Sequence, residues 1–404
     1  MKILLASYGG GHVRSLIPIA KELEKKGYEI NFFAFTTAFH ELKGYDFKVY
    51  RVMDFLDLFD ENLIIQLGKK YFNGEKSHLV SYKESISYYG IGMFDLINKH
   101  GKENAEKLFS KKGRFSFCPV KSVTKILEFL NPDLLITTNS PRYEKAIVMA
   151  AREKNIYSII INDLFAVDEY KWLSKNDYGN KICVINKYVK DFLIKKGRKS
   201  DSILITGNPN FQKKMLLKTS IDKKMKNKFL YKIKKNQKVV LWVSQPVPEI
   251  NNLNGLKGDK NLPKKILKEL LKISKKRDDL FFINRLHPNE SLLNFQEYKN
   301  FVKSKTKNVY DDLSVADIVI VINSSVGYQA FLENKKIIQI QNSNLSDSSP
   351  YSKMGIATPL FNLDSFEDRI DHVLCKKNLE RADLRQKNLN PSKEISNLIE
   401  KLSF

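Results

Sequence analysis

Lys2-Ile3-Leu4-Leu5-Ala6-Ser7 runs into Tyr8-Gly9-Gly10-Gly11-His12, after which Leu16, Ile17, Ile19, Ala20 and Leu23 recur at helical spacing as far as Gly27. This reads as strand, glycine turn and helix, with Gly27 as the stop. A second apolar run at 29–34 completes a βαβ unit, whose parallel strands leave the loops at their C-terminal ends free for ligands. The first of those loops, Gly9 to His12, is therefore a candidate site from the outset.

Outward from this unit the same alternation predicts strands at 133–137, 157–162 and 180–186 and a helix at 142–154. A second series begins at 239–243 and continues with a helix at 262–276, strands at 280–284 and 317–322, a helix at 326–334 and a strand at 336–340. The expectation is an α/β protein of two Rossmann-like domains facing across a cleft. The stretch 53–128 breaks the alternation and mixes Lys with aromatic residues, as in Lys69-Lys70-Tyr71-Phe72, and is read as a helical insertion on the first domain. Its lysines suit either a solvated face or a patch facing a membrane or acceptor. Thr206-Gly207-Asn208-Pro209-Asn210 stops any regular element and marks the expected hinge, followed by a basic outer helix in 213–238. The expected domains are 1–207, 208–380 and a C-terminal helix in 381–404 that packs back towards the first domain.

The 404 residues, 42% apolar and 28% charged, suffice for two cores, while 18 Gly and 12 Pro are too few for a fibrous or low-complexity chain. Cys118, Cys183 and Cys375 lie far apart and without metal-ligand spacing, which argues against a disulfide framework or structural zinc and for a reducing compartment. The apolar run at the start is shorter than a signal-peptide core and no membrane-spanning stretch follows, so the expected location is cytoplasmic. Net charge is +24, a field that attracts anionic membranes, polyanionic acceptors or nucleic acid alike.

The motifs narrow this. Gly9-Gly10-Gly11 lets backbone approach a ligand at a helix N-terminus, where free N–H groups favour an electron-rich group, so Gly10 and Gly11 are candidate donor-binding positions. The next strand ends Phe33-Ala34-Phe35-Thr36-Thr37 without an acidic residue, which disfavours NAD-type binding. His12, with an ordinary pKa near neutrality, has either the role of a base for an attacking hydroxyl or a structural role at the helix start. Asp163 follows a strand of the same sheet and either orients His12, binds an acceptor hydroxyl or caps a turn.

In the second half, Ser244 and Gln245 end one strand, offering a hydroxyl and an amide to a phosphate or base edge, or simple turn chemistry. Arg285 and His287, in Arg285-Leu286-His287-Pro288, form a basic pair at another strand end that suits a diphosphate. Ser324 and Ser325, in Asn323-Ser324-Ser325-Val326-Gly327, open a helix directly after a strand.

Together these features resemble a GT-B nucleotide-sugar glycosyltransferase. Tyr8 to Gly27 is similar to the opening loop of lipid-linked-sugar and glucuronosyl transferases, and Thr206 to Asn210 resembles the hinge of UDP-N-acetylglucosamine 2-epimerases. The segments 285–290 and 323–340 resemble bacterial capsule and polyol-phosphate transferases. The resemblance implies a nucleotide-sugar held by the second domain, an acceptor held by the first, and reaction in the cleft with neither a cofactor nor an obligatory metal. By position, His12 becomes the base and Arg285, His287, Ser324 and Ser325 the phosphate clamp. Where the family commonly places an acidic residue on the last helix to hold the ribose, this chain has Gln329, with Glu333 four residues on as a substitute or a plain surface residue.

The expected activity is inverting transfer of a sugar to a glycan or lipid-linked acceptor in bacterial surface polysaccharide synthesis, by an enzyme peripheral to the inner face of the cell membrane. The runner-up is a 2-epimerase, although the acidic-Ser-Gly-Gly segment customary there is replaced by Asn323 to Gly327. A polyol-phosphate transferase and a polyanion-binding protein stand behind it. No recognition helix, zinc finger or aromatic RNA-binding motif supports a specific nucleic-acid partner.

Overall fold

The computed structural model describes residues 1–74, 78–211, 221–251, 253–287, 290, 297–376, 381–385 and 390–402. The chain divides into two compact units, Met1–Asn210 with Gln386–Phe404, and Phe211–Arg385.

The first unit is built on a seven-stranded sheet in the order β3-β2-β1-β4-β5-β6-β7. The strands are β1 (Lys2–Tyr8), β2 (Glu29–Phe35), β3 (Lys48–Tyr50), β4 (Leu134–Thr137), β5 (Tyr157–Ile161), β6 (Lys181–Val184) and β7 (Ile203–Ile205), and every pairing is parallel. Helix α1 (Gly11–Glu24) provides the first crossover and buries Val13, Leu16, Ile19, Ala20 and Leu23 against the sheet. β1, β2 and β4 are near-continuous apolar runs because helices cover both faces of a parallel sheet. Gly9 is required by packing: a Cβ there would lie 2.2 Å from Thr37 Oγ1 and 2.9 Å from the Thr37 carbonyl carbon.

Between β3 and β4 the chain leaves the sheet. A short helix, α2 (Ala38–Leu42), precedes β3; after β3 the chain forms α3 (Glu61–Tyr71), α4 (Tyr82–His100), α5 (Lys102–Lys112) and α6 (Val120–Leu130), the helical insertion expected for 53–128. Glycines let α3 and α4 pack closely, since a Cβ on Gly68 or Gly90 would meet the backbone of the facing helix at 2.0 or 2.1 Å. The sheet then continues through α7 (Tyr143–Glu153), α8 (Tyr170–Leu173) and α9 (Lys187–Lys195). The C-terminal helix, Pro391–Glu400, brings Ile395 and Ile399 into the same core as Leu16 and Leu23. Lys26 fastens it through Asn397 at 2.9 Å and Glu400 at 2.6 Å.

The second unit repeats the plan with six parallel strands in the order β10-β9-β8-β11-β12-β13. These are β8 (Lys238–Val243), β9 (Leu280–Arg285), β10 (Phe301–Lys303), β11 (Ile318–Val321), β12 (Lys336–Ile340) and β13 (Thr358–Leu360). Its helices are α10 (Ile221–Tyr231), α11 (Leu262–Lys276), α12 (Val309–Val315), α13 (Val326–Leu332) and α14 (Phe366–Cys375). The start of the expected outer helix in 213–238 lies outside the described residues, as does Pro288 of the Arg285 to Pro288 step. Each unit is thus a Rossmann-like domain.

Candidate functional site

In each sheet the chain builds outward in one direction and then crosses to the other side of its first strand. The crossover point falls between β1 and β4 in the first unit and between β8 and β11 in the second. Loops diverge at such a point and leave a crevice beyond the carboxyl ends of the strands.

In the first unit the loops after β1 and β4 meet there. His12 Nε2 lies 3.1 Å from Ser140 Oγ, and His12 Nδ1 lies 3.6 Å from Asp163 Oδ2, an ion-pair separation longer than a hydrogen bond. The imidazole is 27% exposed and the Asp163 side chain 14%, so both remain accessible. Burial pulls the His12 pKa down, but the carboxylates of Asp163, Glu144 and Glu169 outweigh it and raise the pKa above the ordinary 6.5. Glu169, half-buried and beside Asp163, is pushed up to about 7, chiefly by loss of hydration.

This arrangement rests on buried polar groups. Glu144, fully buried on α7, accepts from Tyr8 N–H at 2.7 Å and Ser140 N–H at 2.5 Å, tying the ends of β1 and β4 together. Asn208 donates to the Asp163 carbonyl at 2.5 Å and accepts from Ser15 Oγ at 3.2 Å. Asn210 donates to the Gly11 carbonyl at 2.8 Å. The pentapeptide read as a hinge therefore also braces the glycine loop. Arg142 holds φ at +74° at the start of α7, with its guanidinium 4.4 Å above the Tyr8 ring, a strained non-glycine conformation beside the crevice.

One expectation for this loop needs correcting. The Gly10 N–H is not free for an anion: it donates to Glu41 Oε1 at 2.5 Å, and Glu41 also holds Arg14 at 2.6 Å. A phosphate at Gly10 would meet a carboxylate. Gly11 is exposed, and a Cβ there would come within 3.7 Å of Asp163 Oδ2 alone, so its hydrogen-bearing face is open to a ligand.

In the second unit the loops after β8 and β11 meet in the same way. Gln245 Nε2 donates to Asn323 Oδ1, and Asn323 N–H returns a bond to Gln245 Oε1 at 3.3 Å. Ser244 Oγ donates to Glu290 Oε1 at 2.8 Å, and the His287 N–H donates to Glu290 Oε2 at 2.9 Å. Tyr351 Oη donates to the Ser324 carbonyl at 2.7 Å, and Ser324 Oγ accepts from Val326 N–H at 3.3 Å. Ser325 makes no capping bond. Gln329 Oε1 is buried and has no hydrogen-bond partner among the described residues. Burial raises the pKa of Glu333, further along the chain. His287 is exposed.

Arg285 departs from the expected clamp. Its Nη1 binds Asp312 Oδ2 at 2.7 Å, Ser304 Oγ at 3.2 Å and the Thr306 carbonyl at 3.1 Å, and its Nη2 binds the Lys307 carbonyl at 2.7 Å. Asp312 is completely buried, so the guanidinium neutralises an interior carboxylate and leaves His287 and the serine loop as the groups facing outward. Sequence reasoning missed Asp312, Glu290, Glu144, Glu41 and Ser140. The signal available for Glu144 and Asp312 was a carboxylate at a position whose helical spacing makes it core-facing.

Among the described residues no group of His, Cys, Asp and Glu side chains could hold a metal ion, and no helix is long and apolar enough to cross a membrane.

No protein-family description matches this sequence, and no curated protein matches it. Solved structures match along nearly its whole length. A co-structure of S. aureus MnaA with UDP aligns over 99% of this chain and 96% of its own, at a TM-score of 0.60 and 12% identity. The UDP-GlcNAc 2-epimerase of Methanocaldococcus jannaschii, in complex with UDP-GlcNAc and UDP, aligns over 99% of both chains at 0.60 and 13%. A glycosyltransferase from Rickettsia africae aligns over 100% of this chain and 99% of its own at 0.55 and 14%. The fold is therefore GT-B-like, shared with UDP-GlcNAc 2-epimerases and with glycosyltransferases. At these identities the likeness establishes the fold alone.

Proposed function

We propose that the chain is an inverting glycosyltransferase that moves a sugar from a nucleotide-activated donor to a hydroxyl of a glycan or lipid-linked acceptor in bacterial surface polysaccharide synthesis. The observation that carries this reading is the accessible imidazole of His12 at the crossover point of the first sheet, flanked by Asp163 on one nitrogen and a hydroxyl on the other. With the Nδ1 proton directed towards the Asp163 carboxylate, Nε2 is left as the basic nitrogen. Ser140 Oγ then occupies the place an acceptor hydroxyl would take.

In the proposed step the acceptor oxygen attacks the anomeric carbon, its proton passes to His12 Nε2, and the bond from that carbon to the donor phosphate breaks with inversion. The electron pair leaves with the nucleotide. Ser244, Gln245, His287, Ser324 and Ser325 of the second unit, with Gln329 towards the ribose, are assigned to the donor. Hydrogen bonds to the leaving phosphate are the principal transition-state stabilisation. The net charge of +24 supports peripheral association with an anionic inner membrane surface.

The test is thermal stabilisation by UDP, CDP, CMP or GDP against a short oligonucleotide, followed by sugar transfer in wild type and His12→Ala. Selective stabilisation by one nucleotide that survives His12→Ala, with transfer lost, supports the reading; equal stabilisation by the oligonucleotide counts against it. A 2-epimerase is the second reading, favoured by the TM-score of 0.60 to two structures with UDP or UDP-GlcNAc. Conversion of UDP-N-acetylhexosamine by the protein alone, with no acceptor, would favour it.

A further inference from the structure

Helix α7 presents Glu144 to the His12 loop, and its remaining length borders a separate cavity of about 570 Å³ contained within the first unit. That volume lies in the range of small-molecule sites. Three lysines line it, Lys99, Lys145 and Lys175, and none of them meets a carboxylate in an ion pair among the described residues. Of the acidic residues on the wall, Asp177 pairs with Arg152, which also lines the cavity, and Glu153 accepts from Thr124 at 3.4 Å, so cationic side chains outnumber acidic ones there. Lys145 Nζ sits 5.2 Å from the centre of the Trp172 ring. Met149, also on the wall, is 38% exposed, so the cavity has an apolar side as well as a cationic one. The excess of cationic over acidic side chains on the wall favours an anion.

We propose that this cavity binds a phosphate monoester with a ring-bearing or apolar body. The phosphate carries close to two negative charges and three acceptor oxygens, which suit ammonium donors acting as point charges. The body lies against Met149 and Trp172. The site is independent of the transfer chemistry proposed above and needs none of its residues.

Cys118 on the cavity wall provides the readout. Burial holds its thiol above the ordinary pKa, so it alkylates slowly, and a ligand in the cavity slows it further. Exposed Cys375 is the internal control, and buried Cys183 stays silent. The full-length protein is treated with iodoacetamide at fixed ionic strength, with phenyl phosphate, inorganic phosphate or phenol as probe, and modification is mapped by peptide mass spectrometry. Trp172 emission is followed in parallel in a Trp242→Phe background, since these are the two tryptophans of the chain.

Phenyl phosphate is expected to slow Cys118 modification several-fold and to change Trp172 emission, with inorganic phosphate weaker and phenol without effect. Lys145→Ala and Lys175→Ala should each reduce phenyl phosphate affinity about tenfold, as loss of one charge-assisted contact implies. Unchanged Trp172 emission up to millimolar phenyl phosphate, or binding that both lysine variants retain in full, overturns the proposal. Equal effects of phenol overturn it as well, because the cationic wall would then play no part.

Discussion

His12 and Asp163 face one another at 3.6 Å, Nδ1 to Oδ2, across the crevice formed by the loops after β1 and β5. The carboxylate raises the imidazole pKa, so His12 keeps its proton to higher pH than an ordinary histidine. In the proposed reaction the base must be neutral, and the acid limb of the activity profile should therefore lie above pH 6.5. Asp163→Asn removes a cause of the rise and should move that limb to lower pH while reducing the maximal rate. A limb that stays in place in this variant would separate Asp163 from the titration of His12.

His287 and Arg285 lie two residues apart and should behave as opposites. His287→Ala, at an exposed site, should leave the melting temperature near wild type and lower turnover by about 10²–10³, as removal of a donor to a developing anion does elsewhere. Arg285→Ala leaves the buried Asp312 carboxylate without its counter-charge and should destabilise the second unit by about 3–5 kcal/mol. Denaturant unfolding and nucleotide affinity, measured on both variants, read the two effects separately.

Asn208 is almost wholly buried, with its amide committed to the Asp163 carbonyl and to Ser15 and Asn210. Asn208→Ala leaves these groups without their partner and should cost about 1–3 kcal/mol in urea unfolding. Since Asn208 holds the backbone of Asp163, the pH profile should shift in the same direction as in Asp163→Asn, though by less. An unaltered profile in a destabilised variant would confine Asn208 to folding.

Glu84 lies buried in the helical insertion, where its carboxyl accepts from Met53 N–H at 3.0 Å and Val52 N–H at 3.4 Å. Burial dominates those bonds and pushes its pKa up to about 8. The folded state then binds this proton more tightly than the unfolded chain, so stability is greatest below the ordinary carboxylate range and declines as pH rises towards about 8. Glu84→Gln, which mimics the protonated acid, should gain melting temperature relative to wild type as pH increases through that window. A difference independent of pH would show that Glu84 does not titrate there.

The periodicities of single segments carried most of the architecture. The run from Lys2 to Gly27, and the recurrences at 133–162 and 239–340, specify strands and helices through local spacing, so the α/β class and the doubled plan were legible. Short strands such as β3, β7, β10 and β13 were not, because three residues cannot establish a period. The insertion was legible as helical from its loss of alternation, yet the close approach of α3 and α4 at Gly68 and Gly90 was visible only in packing.

The sequence by itself determined which chemical groups stand at strand ends: an imidazole after β1, a carboxylate after β5, a histidine after β9 and a serine pair after β11. Tertiary structure decided which of them remain available. It joined Gly10 to Glu41 and Arg285 to Asp312, withdrawing two expected anion-binding groups, and it brought Ser140 to His12. The physical reason is that a hydrogen-bonding group serves whichever partner the register of distant strands places within 3 Å or so, and local spacing encodes the group but not that partner.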